Sequence, residues 1–403
     1  MKKIFLTLSG LTFLFSGLVK PELLSNNDPS KYTVIKDILW ASPGGFDLTM
    51  DIYTPQSGKD FYPVVVIFHG GGWLIRNKSI MDQMSEYLVT NSEYVVCNVN
   101  YRLLGDKGNT ITLNQIVEDV FGSILWIKEN IINYKGDNTK LAVTGDSAGG
   151  HLSAMIVNMG TKLSSKGFTT ASQGFNPTYL PEGKKAEEVA KENGLQVQAA
   201  ILSYGSYDIY TASLKGFEKM KNFFWLISGS LPRGIFGNNF NAVDNPEMYK
   251  AVSPSFNIPM ASERKLPPQL LTVGSNDKLV TPHSVKTYKE KLESSGHHAE
   301  YWEYQGQGDV CTSEAILRVI LPAEGHLVGD SFEDVGCTED GRTVCDITNT
   351  SVFRVDADET YQIKVKLESP PANVIYRIWS EHKLHQKNSS VAVIVGNPHI
   401  TKV

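Results

Sequence analysis

Leu141-Ala142-Val143-Thr144-Gly145-Asp146-Ser147-Ala148-Gly149-Gly150-His151 is the stretch that decides the fold. An apolar run leads straight into a Gly-x-Ser-x-Gly pattern, and from His151 to Val157 the chain reads as helix. A serine on so tight a strand-to-helix turn projects its hydroxyl from the end of a sheet. Gly145 and Gly149 let the backbone turn and pack where a Cβ would collide. The helix N-terminus that follows offers N–H groups to a developing negative charge. The pattern points to nucleophilic chemistry, with Ser147 as the attacking group.

Outward from this turn, short apolar runs alternate with helical stretches. The runs are 64–68, 94–99, 141–143, 197–202, 270–273 and 299–304. Between them Ile116, Val120, Ile124, Ile127 and Ile131 recur every three or four residues, the period of a half-buried helix. This alternation predicts an α/β fold with a mostly parallel central sheet and helices on both faces. Ahead of it, Phe46, Leu48, Met50 and Ile52 alternate after Pro43-Gly44-Gly45, which reads as an opening hairpin over 32–53.

Two segments break the rhythm. Residues 161–195 are polar and read as a surface excursion. Residues 211–250 carry Phe217, Met220, Phe223, Phe224, Trp225, Leu226 and Phe236, too apolar for a solvated loop. They sit between two strands, where a lid over a site stands; the alternative is that they finish the core. Beyond about residue 327, Tyr361, Ile363, Val365 and Leu367 alternate with polar residues. Val374, Tyr376 and Ile378 follow, then Val391, Val393 and Val395, which predicts a β-rich C-terminal module over 327–403.

A second motif, His69-Gly70-Gly71-Gly72-Trp73, follows the run 64–68. Three glycines leave their N–H groups unshielded, as binding the oxyanion of a tetrahedral intermediate requires. Together with Asn100-Tyr101-Arg102-Leu103, the serine turn and Val273-Gly274-Ser275-Asn276-Asp277-Lys278-Leu279-Val280, this set resembles the α/β-hydrolase fold. Within that fold it resembles the hormone-sensitive-lipase-like carboxylesterases and the bacterial acetyl-xylan and feruloyl esterases, over residues 33–308. The resemblance implies a catalytic domain over 31–326 that cleaves carboxylic esters. It also implies that Ser147 attacks, that Gly71, Gly72 and Ala148 form the oxyanion hole, and that Asp277 orients the base.

Asp277 has local support too. It follows the run 270–273 in the order Ser then Asp that this fold uses. Loops at the C-terminal ends of parallel strands converge on one crevice; the alternative is that Asp277 caps the helix starting near Pro282. The histidine is where the chain departs from the family. After Tyr304-Gln305-Gly306-Gln307-Gly308 the family has His, and here Asp309 stands. A carboxylate with an ordinary pKa of about 3.9 is a poor base for a serine hydroxyl. His69 belongs to the glycine loop, His151 to the helix after the serine, and His297 and His298 precede the last strand. His382, His385 and His399 fall in the C-terminal module. His326, in Glu324-Gly325-His326-Leu327, has the right chain order and a loop long enough to return, so it is the candidate base. As a bare loop histidine it reads as surface.

Composition narrows the partners. With 403 residues, 41% hydrophobic, the chain can bury a full core, and its net charge of −5 gives no basic stripe for nucleic acid. Lys2 and Lys3 precede an apolar run over 4–19, closed by Lys20 and Pro21, which predicts a signal peptide over 1–20 and a secreted or periplasmic protein. A small-x-small cleavage site is missing, so the same segment is the one candidate membrane anchor. Cys337 and Cys345 flank an Asp340-Gly341 turn, which in an exported protein favours a disulfide; Cys97 reads as core and Cys311 has no evident mate. No metal-ligand spacing and no phosphate loop occur, so no cofactor is expected. The partner expected is a small-molecule or polysaccharide-linked ester. The alternative is a ligand- or carbohydrate-binding pseudoenzyme that lacks the family histidine.

Overall fold

A computed structural model describes residues 31–304 and two short C-terminal strands, 375–378 and 392–395. Residues 1–20, Asp309, Cys311, His326, Cys337 and Cys345 lie outside the described residues.

The chain divides into two compact units, Met1–Leu317 and Arg318–Val403. The first is built on β1 (Tyr32–Ala41), β2 (Leu48–Pro55), β3 (Tyr62–Phe68), β4 (Val95–Val99), β5 (Gly136–Asp146), β6 (Ala199–Ser203), β7 (Gln269–Gly274) and β8 (Ala299–Tyr304). They form one sheet in the order β1-β2-β4-β3-β5-β6-β7-β8. The β1–β2 and β2–β4 pairs are antiparallel and every later pair is parallel. Residues 64–68 and 141–145, at the centre, are buried throughout, as strands covered on both faces must be. Each valine or isoleucine side chain buried there contributes about 1.5–3 kcal/mol by leaving water.

The hairpin forms as the alternation predicts, with Leu48, Met50 and Ile52 buried. Its second face is covered as well. Tyr53 reaches Asp82 at the start of the helix Asp82–Asn91, and Asp51 is buried 2.7 Å from Lys78 Nζ. The helix Leu113–Asn130 buries Ile116, Val120, Ile124 and Ile127. Its start is fixed by the Gln115 side chain, which accepts from the Thr112 N–H at 2.9 Å. Arg102 clamps the same helix: its Nε and Nη2 donate to the two oxygens of buried Asp119 at 2.8 and 2.6 Å. Thr178 adds a hydroxyl to that carboxylate at 2.5 Å. A bidentate, fully hydrogen-bonded pair is the form in which buried charge is tolerated.

Residues 161–195 are less detached than their polarity predicts. Leu163, Phe175, Ala186, Val189 and Leu195 are buried, and the Phe175 ring meets Phe121 edge-on at 5.4 Å. Widely spaced apolar anchors fasten a polar segment and leave no period for sequence reading to detect.

Register brings Phe68, Gly145, Leu202 and Leu271 level across four adjacent strands, and Gly274 level with Tyr304. The loops after β3, β5, β6 and β7 therefore leave along one edge of the sheet, where such folds place their sites.

In the second unit, β9 (Ile375–Ile378) pairs antiparallel with β10 (Ala392–Val395), with Tyr376 opposite Ile394. Both fall within stretches whose alternation predicts strands.

Candidate active site

Ser147 sits between β5 and the helix Ala148–Met159 with φ 51° and ψ −112°. A non-glycine residue in that region carries strain, and such residues concentrate at functional sites. The surroundings impose it: the Ser147 N–H donates to Ser203 O at 2.9 Å, and the Ser147 carbonyl accepts from the His151 N–H at 3.0 Å. Close packing explains the glycine two residues on. A Cβ on Gly149 would lie 1.9 Å from Phe68 O, so no side chain fits where the helix meets the end of β3.

The glycine loop abuts this turn. A Cβ on Gly70 would lie 2.7 Å from Asp146 Oδ2, the oxygen that also accepts from Tyr204 Oη at 3.0 Å. Gly71 has φ 119°, and its carbonyl accepts from the Leu74 and Ile75 N–H groups at 3.1 Å each. A side chain there would strike Ile75 O, so the tight turn requires glycine. Among the described residues, no loop or turn hydrogen bond uses the N–H of Gly71, Gly72 or Ala148. Donors of that kind, held by a rigid backbone, are what stabilising an oxyanion requires.

Asp277 lies in the turn after β7 and is buried. Its Oδ1 accepts from the Leu279 and Val280 N–H groups, both at 2.8 Å. It does not cap the helix Pro282–Ser294; that cap is Thr281, whose side chain accepts from the Ser284 N–H. Asp277 and Ser147 thus leave the same sheet edge on either side of β6. The Ser275 N–H donates to Tyr304 O at 2.9 Å, so the chain leaves β8 beside the Asp277 turn.

Five histidines fall among the described residues. His69 donates from Nδ1 to Gly70 O at 2.7 Å and stacks on Tyr101 at 4.3 Å. His151 donates from Nε2 to Val252 O at 2.8 Å and accepts at Nδ1 from Trp73 Nε1 at 3.2 Å. His297 donates to Pro259 O at 2.7 Å, at the opposite end of β8 from the site. His298 is exposed beside Glu300. His283, which chain order alone does not single out, is exposed in the first turn of Pro282–Ser294.

Burial holds both His69 and His151 at a pKa of about 4 against the usual 6.5. Unfolded chains take up these two protons as pH falls below 6.5, and the folded protein refuses them until about pH 4. The stabilisation is therefore full above pH 6.5 and is lost as pH falls. Between pH 6.5 and 5 the loss is on the order of 2 kcal/mol for each histidine. Burial raises the Glu118 carboxyl to about 7, which acts in the opposite direction over this range. The histidine share is therefore read as the change in the urea-midpoint difference between pH 7.5 and pH 5 on His151→Gln, and an unchanged difference would contradict it.

Residues of the 211–250 insertion finish part of the core and also pack on the glycine loop. Trp225 is fully buried and donates to Phe217 O at 2.9 Å; Phe217 meets Trp73 edge-on at 5.4 Å. Phe224 packs on the glycine loop, its ring carbons 2.8–2.9 Å from where a Gly72 Cβ would stand. Arg233 fastens the insertion by donating to Asn109 O at 2.7 Å, Leu104 O at 2.8 Å and Ile111 O at 2.5 Å. Among the described residues no three His, Cys, Asp or Glu side chains gather as a metal site.

Comparison with known proteins places this arrangement. Carboxylesterase NlhH of Mycobacterium tuberculosis is 31% identical over 139 residues, covering 34% of this chain and 40% of that protein. Esterase LipQ of the same species is 26% identical over 262 residues, covering 63% and 52%. The chain thus spans about half the length, or less, of these curated relatives. A solved structure described as a truncated form of carbohydrate esterase from gut microbiota superposes with a TM-score of 0.52 at 19% identity, covering 70% of this chain and 90% of that one. That likeness bears on the fold, which is an α/β-hydrolase. The BD-FAE family model matches residues 50–292, more than half of the sequence, and the chain therefore belongs to the BD-FAE family.

Proposed function

We propose that this protein is an exported serine carboxylesterase acting on short acyl, acetyl or feruloyl-type esters through an acyl-serine intermediate. The observation that carries the reading is Ser147 at φ 51° on a strand-to-helix turn, packed against a glycine loop whose Gly71 and Gly72 N–H groups enter no loop hydrogen bond. Ser147 attacks the ester carbonyl. The N–H groups of Gly71, Gly72 and Ala148 bind the oxyanion, the alcohol leaves, and water releases the acid. Asp277, held by two backbone N–H groups, orients and stabilises the imidazolium of the base, which we assign to His326. The names of the curated relatives support ester hydrolysis.

Hydrolysis of p-nitrophenyl acetate and of acetylated or feruloylated xylan tests the reading, and no turnover of any of them would overturn it. Asp277→Asn keeps the turn but offers the imidazole the wrong partner, so kcat falls by about 10⁴ with KM little changed. A variant that keeps a tenth of wild-type kcat would remove Asp277 from the mechanism.

Asp309 favours a second reading, a pseudoenzyme that binds esters or carbohydrate without cleaving them. Saturable binding of xylan oligosaccharides without acid release would establish it.

A further inference from the structure

The outer side of the insertion does not behave as a protein surface normally does. In the helix Phe223–Ser228, Trp225 points inward while Phe223, Leu226 and Ile227 share the opposite face at the i, i+3, i+4 spacing. Leu226 is 77% exposed and Ile227 61%, and Met220 and Leu231 on either side are 71% and 75% exposed. A helix apolar all round belongs in a core or at an apolar boundary, and this one lies at the surface.

Charge says what kind of boundary. Lys215, Lys219 and Lys221, in the segment that leads into this helix, are exposed. The one acid between Leu214 and Arg233 is Glu218, which is turned inward to accept from the Ile235 N–H at 2.7 Å and Tyr249 Oη at 2.6 Å. The exposed charges of this segment are thus all cationic, on a chain of net charge −5. Exposed large apolar side chains in one segment with exposed lysines fit an anionic lipid surface, with the apolar residues entering the acyl boundary and the lysines meeting the headgroups. A second copy docked on the same face would oppose one lysine set to the other.

We propose that residues 214–231 dock the protein on anionic lipid surfaces. Phe224 of the same helix packs on Gly72, so docking brings the glycine loop to the surface where lipid-partitioned esters gather.

The test uses the full chain and phosphatidylglycerol vesicles, read by co-sedimentation and by hydrogen exchange of the 214–231 peptides. The expected result is that the chain pellets and exchange in 214–231 slows. Leu226→Glu/Ile227→Glu removes that slowing, and Lys215→Gln/Lys219→Gln/Lys221→Gln weakens binding about 100-fold, as does replacing the vesicles with phosphatidylcholine. Hydrolysis of soluble p-nitrophenyl acetate stays within twofold in both variants and reports an intact fold. No change in 214–231 exchange overturns the proposal even where the chain pellets, because the apolar N-terminal run is then the attached segment. So does a dimer formed without vesicles that Leu226→Glu/Ile227→Glu dissolves, which would assign the face to a second copy. Vesicle binding is read without catalysis, so it stands or falls separately from ester hydrolysis.

Discussion

In Ser147→Ala, turnover of p-nitrophenyl acetate falls by about 10⁶, to the residual rate that a binding site without a nucleophile supports. The change removes one hydroxyl from a residue whose backbone is fixed by the Ser203 carbonyl on one side and the His151 N–H on the other. Alanine meets the same positive-φ strain as serine, so the circular-dichroism spectrum and thermal midpoint stay close to wild type. A fluorophosphonate probe that phosphonylates the wild-type chain, with loss of fluoride, at the peptide carrying residue 147 leaves the variant unlabelled. A variant that keeps a tenth of the activity, or takes the label, would show that another group attacks.

His326→Ala lowers kcat by a comparable factor, because serine and its base act as one unit and losing either costs about as much as losing both. The expectation rests on chain path: β8 ends at Tyr304, whose carbonyl accepts from Ser275 beside the Asp277 turn, so the chain beyond it starts at the site. In the wild type, kcat/KM rises with pH as the imidazole loses its proton, from an unperturbed value of about 6.5. His283 stands on the same sheet edge, and His283→Ala is the control, expected to stay within twofold. Loss in His283→Ala with full activity in His326→Ala would transfer the role to His283. Full activity in both would remove His326 and His283 from the mechanism.

What could be read from the sequence depended on how local the cause was. β3 and β5 were legible because a strand buried on both faces needs an unbroken apolar run, and the serine turn and glycine loop because their backbones exclude side chains. Asp277 could not be told from a helix cap until Thr281 was seen to fill that role. The inward side of the insertion was hidden for a different reason. Trp225 and Leu226 are neighbours in sequence, yet one is fully buried and the other 77% exposed, and composition cannot say which. Phe175 and Leu163 were missed within 161–195 because isolated anchors leave no period. The base was not legible because Asp309 stands at the position where the family has His.

The strained φ of Ser147 has an evolutionary consequence. Strain of this kind costs on the order of 1–3 kcal/mol, and glycine, at home in that region of backbone space, would escape most of it. Replacing Ser147 by glycine would therefore leave a sturdier chain with the same turn. On the proposed mechanism, selection for turnover is what holds a serine there, and a lineage released from it drifts toward more robust descendants that keep the turn but lose the reaction.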